Sequence, residues 1–184
     1  MQFIDQVSYW KWAHSDLLCN RERGVLAEYI VAQAIDHQES RVEWDDYDLV
    51  TPNGLKIEVK SAAYIQTWHD EQSRFSNIRF GIKPAKYLLG SDGNRSANIS
   101  ASRPSDLYVF CLLATQDRNI VNPLDLSQWD FYVLLTSTLN TALPKQKTIG
   151  LSSLLDLEPT YAKYNQLNSV ICALGSRQES SDVY

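Results

Sequence analysis

Trp44-Asp45-Asp46-Tyr47-Asp48-Leu49-Val50-Thr51-Pro52-Asn53-Gly54-Leu55-Lys56-Ile57-Glu58-Val59-Lys60-Ser61 is the stretch on which the reading of this chain turns. It has the pattern of two short strands joined by a tight turn. Pro52 sets φ at the turn, and Asn53 or Gly54 tolerates a positive φ. Beyond it Leu55, Ile57 and Val59 alternate with Lys56, Glu58 and Lys60, the period of a half-buried strand, so Glu58 and Lys60 leave from one face. Loop length fixes what they meet. A three-residue loop, Pro52 to Gly54, sets Thr51 opposite Leu55 and Asp48 opposite Glu58 on that same face. A two-residue Asn53-Gly54 loop would set Asp48 opposite Val59, only diagonal to Glu58.

In the three-residue register two carboxylates and a lysine stand side by side. Hard oxygen ligands on adjacent strands suit Mg²⁺, which takes one or two carboxylates and keeps several waters for a phosphate substrate. Such an ion lowers the pKa of a bound water and neutralises charge developing on phosphorus. A lysine ammonium held beside the acids can orient or deprotonate the attacking water. The bland alternative is that Glu-x-Lys on an exposed strand face is no more than solvated charge.

An Asp, a turn and then Glu-x-Lys on an apolar strand resembles the PD-(D/E)xK nuclease superfamily, whose fold is restriction-endonuclease-like. The resemblance implies that Asp48 and Glu58 bind the metal together with the backbone carbonyl of Val59, and that Lys60 serves the nucleophilic water. Mg²⁺ is the implied cofactor, with Mn²⁺ as its substitute. Tyr47 stands where the family's Pro precedes the first Asp, and Asp46, which shares the strand parity of Asp48, is the runner-up ligand. Glu28 lies in a helical stripe upstream, flanked by Ala27 and Tyr29. The resemblance gives it a place at the metal, directly or through water; the plain alternative is an ion pair with Arg21, Arg23 or another base. Ser61 and Gln66, polar positions after the Glu-x-Lys strand, are the implied substrate-positioning residues.

With 184 residues, 44% hydrophobic and 21% charged, the chain suits one domain with a proper core. No apolar run approaches membrane-spanning length and no leader pattern stands at the N-terminus, so the expected location is the cytoplasm, away from membranes. Cys19, Cys111 and Cys172 are scattered and odd in number, which points to reduced thiols, and none pairs with a histidine at zinc-site spacing. A net charge of −5 speaks against coating nucleic acid non-specifically. Charge is unevenly spread, however: residues 56–103 hold eight bases and four acids, whereas residues 36–48 hold six acids and one Arg.

The first twenty residues carry Tyr9-Trp10-Lys11-Trp12, expected to pack a short helix or arm against the body, with base stacking by the tryptophans as the sharper alternative. A helix runs from Asn20, its expected cap, through Asp36, with Val25, Leu26, Tyr29, Ile30, Ala32 and Ile35 as its apolar stripe. Residues 69–106 read as an insertion, including a polar, flexible loop over Gly90 to Asn98. Its net positive charge makes it the candidate for gripping nucleic acid, through Arg79, Lys83 and Lys86. Asp106 to Ala114 is a continuous apolar run, the mark of a strand buried on both faces, and Trp129 to Thr136 is expected as another central strand. Further on, a helix or loop over Ser137 to Leu143, a short strand or turn at Thr148 to Leu151, a segment around Leu154 to Leu157 capped by Ser152 or Ser153, and helices at Tyr161 to Leu167 and Val170 to Leu174 are expected.

These readings combine into an α/β fold with a restriction-endonuclease-like core, a central mixed β-sheet flanked by helices. One domain spans residues 1–175, with a flexible tail over 176–184. The function implied is that of a Mg²⁺-dependent endonuclease hydrolysing phosphodiester bonds, in DNA before RNA, with a homodimer as the arrangement many members of the resembled family use. Two rivals stay open: a catalytically inactive module of the same fold that binds nucleic acid or a protein, and a metal-dependent phosphatase acting on small phosphoesters.

Overall fold

The computed structural model describes residues 3–41, 46–68, 70, 72–89 and 95–181, with the side chains of 86–89, 95–101 and 177–181 left aside. Its centre is a five-stranded sheet in the order β1-β2-β6-β7-β9, built from β1 (Leu49–Val50), β2 (Lys56–Ala63), β6 (Leu107–Leu113), β7 (Trp129–Leu135) and β9 (Thr160–Ala162). β2 and β6 run parallel and the other neighbours antiparallel, so the sheet is mixed as expected. All seven residues of β6 are buried, because it lies between two strands and under cover on both faces.

Alternation along the strands sorts side chains into two cores. Ile57, Val59, Val109, Cys111, Phe131 and Val133 face one way, against α2 (Asn20–Ala34) and α5 (Tyr164–Ser181). Ala62, Tyr108, Phe110 and Leu134 face the other. There they meet Phe80 of β3 (Arg79–Gly81), Ile149 of β8 (Thr148–Gly150), Leu139 of α3 (Thr136–Ala142) and Leu154 of α4 (Leu151–Leu155). β3 and β8 pair antiparallel as a two-stranded ribbon, and β4 (Ala85–Leu89) pairs antiparallel with β5 (Arg95–Ser102).

The segment after β2 is therefore more than an inserted loop: β3 belongs to the second core through Phe80, and Arg95 to Asn98 are strand. The rest of the expected flexible loop, residues 90–94, lies outside the described residues. Arg103 ties the end of β5 to the body. Buried, it donates to the carbonyls of Ile82, Leu143 and Gln146 and to Asn140 Oδ1.

Local signals were overruled at several places. α1 (Gln6–Ala13) is capped by Asp5, whose Oδ2 accepts from the Ser8 amide at 2.7 Å, yet it buries no residue, and Trp12 is 83% exposed. Its apolar residues 7, 9, 10 and 12 point around the helix and offer the body no single stripe. α2 is capped by Cys19 rather than Asn20, whose Oδ1 instead accepts from Arg23. The buried side of α2 is Ala27, Ile30, Val31 and Ala32, and Tyr29 is exposed. Asp36, at φ 55°, ends the helical path. α4 has Gly150 at its N-cap and no side-chain capping bond, so neither Ser152 nor Ser153 has that role. Thr160 and Tyr161 begin a strand because they pair with β7, and the two helices expected after them are one, α5. α5 reaches Ser181, so residues 176–181 are helix, not tail; 182–184 lie outside the described residues.

Candidate active site

The quoted stretch folds as its longer loop requires. Leu49 pairs with Ile57 and Val50 with Lys56, and Thr51 N–H donates to the Leu55 carbonyl at 2.9 Å. Pro52, Asn53 and Gly54 close the loop, with Gly54 at φ +87°, a conformation L side chains rarely adopt. Thr51 Oγ1 takes the Leu55 amide proton at 3.0 Å and pins the turn from inside. Asp48 therefore falls opposite Glu58. Trp44 and Asp45 lie outside the described residues; Asp46 sits in the bend that leads into β1.

β1 stops after two residues, and Asp48 takes over where its backbone leaves. The Asp48 Oδ2 accepts the Val59 amide proton at 2.7 Å, on the edge of β2 that β1 no longer covers. A strand residue's N–H and C=O leave on the same side, so the Val59 carbonyl is directed to this edge too. On the face above, the Lys60 ammonium lies against Glu58 Oε1 and 3.8 Å from Asp48 Oδ2. All three side chains are between 19% and 28% exposed. They are withdrawn from bulk water without being sealed from it.

Burial drives the charge balance here. It raises the Glu58 pKa above the ordinary glutamate value, aided by the negative charges of Asp48 and Glu28, while Lys60 pulls the other way. For Lys60 burial alone would lower the value. The combined attraction of Glu58, Asp48 and Glu28 outweighs it, and the ammonium holds its proton more firmly than an ordinary lysine. Tyr108 sits beside Glu58 in the β2–β6 ladder, its phenol pushed well up by burial and then by the Glu58 charge, so it stays protonated. No local signal marks Tyr108, because a tyrosine inside an unbroken apolar run reads as core.

Glu28 reaches this group through its field, while its carboxylate is held by Arg41, with Nε 2.5 Å from Oε2. Neither Arg21 nor Arg23 is its partner among the described ion pairs. Among the described residues no three His, Cys, Asp or Glu side chains gather as a metal-binding group. The hard-oxygen set at the β2 edge is thus two carboxylates and a directed carbonyl, which fits the low protein-ligand demand of Mg²⁺.

Past Lys60 the edge of β2 opens onto a polar pocket of about 350 Å³. Ser61, Gln66 and Arg79 all line it, so three of the five expected substrate contacts share one concavity. Gln66 differs from expectation in being buried: its Oε1 accepts from Arg23 at 2.8 Å and its amide donates to the Ala63 carbonyl. Lys83 is exposed after β3, away from the pocket lining, and Lys86 lies in β4, its side chain outside the described set.

Residues 6–153 match the family described as bacteriophage T4 endonuclease IV, a span that includes Glu28, Asp48, Glu58, Lys60 and the whole of the pocket. No curated protein matches the chain. No helix among the described residues is long and apolar enough to cross a membrane. The match covers most of the 184 residues, and with it the chain belongs to the bacteriophage T4 endonuclease IV family, a family of nucleic-acid-cutting enzymes.

Proposed function

We propose that the chain is a Mg²⁺-dependent DNA endonuclease of the PD-(D/E)xK type, with Asp48, Glu58 and the Val59 carbonyl as the residues that would hold the metal. The observation that carries this reading is the convergence of Asp48, Glu58 and Lys60 on one face at the open edge of β2. A divalent cation there would supply Lewis acidity and lower the pKa of a water. Lys60, which keeps its proton, acts as a donor that orients the attacking water or a phosphate oxygen. Glu28, held by Arg41, adds negative charge near the cation without occupying the β2 edge. Val59 and Asp48 stay rigid through their own hydrogen bond, so the donors are set before substrate arrives.

The test is cleavage of single-stranded and plasmid DNA with Mg²⁺ or Mn²⁺. Glu58→Ala and Lys60→Ala should lose about 10²-fold or more in rate while still unfolding cooperatively. Either variant cutting as fast as wild type overturns the assignment. The rival, an inactive module of the same fold, draws on one feature: Lys60 already forms ion pairs with both carboxylates. Calorimetric titration with Mn²⁺ separates the two, since a dead module shows no binding that Glu58→Ala abolishes.

A further inference from the structure

The pocket beyond Lys60 has an unusual electrostatic build. Arg23 is buried at 2% exposure and lines it, yet no carboxylate pairs with Arg23 among the described ion pairs. Its guanidinium donates to the Leu18 carbonyl, Gln66 Oε1 and Asn20 Oδ1, all of them neutral, and its Nε is buried without a partner. Burial lowers its pKa to about 10, the direction expected of a cation that lacks a counter-ion. Arg79, exposed on β3, brings a second guanidinium to the lining, and none of the described lining residues is acidic. Asn20, the first residue of α2, lines the pocket, and Cys19 at the N-cap makes no side-chain capping bond.

We propose that this pocket is a phosphate subsite, taking a backbone phosphate of the substrate strand next to the one cleaved at Lys60. Arg79 and the Asn20 end of α2 contact the phosphate, and Arg23 supplies fixed positive charge from beneath. Trp68, 63% exposed on the lining, offers a flat surface for the attached nucleoside. The inference rests on the nuclease reading for its substrate, but it concerns binding and stands apart from metal chemistry.

The experiment uses the full chain in EDTA and a fluorescent single-stranded oligodeoxynucleotide, followed by anisotropy. In a series of oligonucleotides, one phosphate at a time is replaced by a neutral methylphosphonate. Wild type should show a loss of about tenfold at one linkage, adjacent to the bond cut when Mn²⁺ is added, and a salt slope lowered by about 0.7 for that oligonucleotide. Arg79→Ala, on an exposed side chain, should weaken binding of the unmodified oligonucleotide and erase the penalty at that linkage. Arg23→Lys, which keeps the charge and loses the fork, should give a partial effect. A penalty unchanged in Arg79→Ala, or spread evenly over all linkages, overturns the subsite while leaving the nuclease reading intact. Failure of wild type to bind DNA at all overturns both, and a penalty at one linkage without any cut in Mn²⁺ overturns the nuclease reading.

Discussion

The Asp48 carboxylate accepts the Val59 amide proton at 2.7 Å, and in doing so a side chain replaces the strand that β1 ceases to provide. Asp48 thus has a structural duty as well as the proposed catalytic one, and two substitutions separate them. Asp48→Asn keeps an acceptor for Val59 and removes the charge; Asp48→Ala removes both. Urea unfolding should find the alanine variant about 1–2 kcal/mol less stable than the asparagine variant. Neither should cleave DNA. Equal stability would mean that the bond does not hold the edge of β2.

Lys60→Met leaves Glu58 and Asp48 side by side without their cation. The expected loss is about 2–3 kcal/mol near neutral pH, toward the lower end for a pair that still sees solvent. Acidification should narrow the gap as Glu58 takes up a proton. Mn²⁺ should raise the melting temperature of Lys60→Met more than that of wild type, because the ion replaces a missing positive charge. A smaller rise in the variant would argue that Lys60 belongs to the metal site's support and not to its competition.

The pH dependence of metal affinity follows from Glu58. Its folded pKa is raised, first by burial and then by the charge of Asp48, so the folded chain binds this proton more tightly than the unfolded one. That contribution to stability is complete below the ordinary glutamate value and fades as pH rises through the raised one. A cation needs the ionised carboxylate. Mn²⁺-induced stabilisation should therefore grow with pH at values where an ordinary glutamate site has already levelled off. An Mn²⁺ affinity that follows the pH profile of an ordinary glutamate site would argue against Glu58 as a ligand.

Arg103→Met should destabilise by about 1–3 kcal/mol, since it strands the buried carbonyl of Ile82 and removes the part-buried bonds to Leu143, Gln146 and Asn140. Thermal unfolding measures the loss. The Asp48–Lys60 hairpin lies elsewhere, so the residual folded protein should keep its Mn²⁺ affinity.

The strands most legible in the sequence were those with one dominant cause. β6 and β7 announce themselves by apolar content, and the β1–β2 hairpin by Pro52-Asn53-Gly54, which admits two loop lengths, of which the three-residue one observed joins Asp48 to Glu58. The site's three charges were readable for that reason, being set within a dozen residues. What escaped depended on partners remote in sequence. Glu28 finds Arg41 across a loop, Gln66 is drawn inward by Arg23, and Tyr108 meets Glu58 only through a parallel pairing that no local pattern encodes. β9 is a strand because β7 offers it an edge, although Tyr161-Ala162 alone has no strong preference. α1 is the expected short helix, but its aromatic content does not bring burial, because a helix needs its apolar residues on one side to be buried.

Residue 58 lies beside residue 108 in the same direction of travel, so everything between must loop round before β2 and β6 can zip together. Loop-closure entropy has to be met before that pairing gives anything back, and this places the joining of β2 to β6 late in folding. The Asp48–Lys60 hairpin, being local, can form in microseconds and then wait with its charges assembled but unsupported. The slow step in refolding should therefore be sensitive to substitutions in β6 and indifferent to those in the Pro52–Gly54 turn.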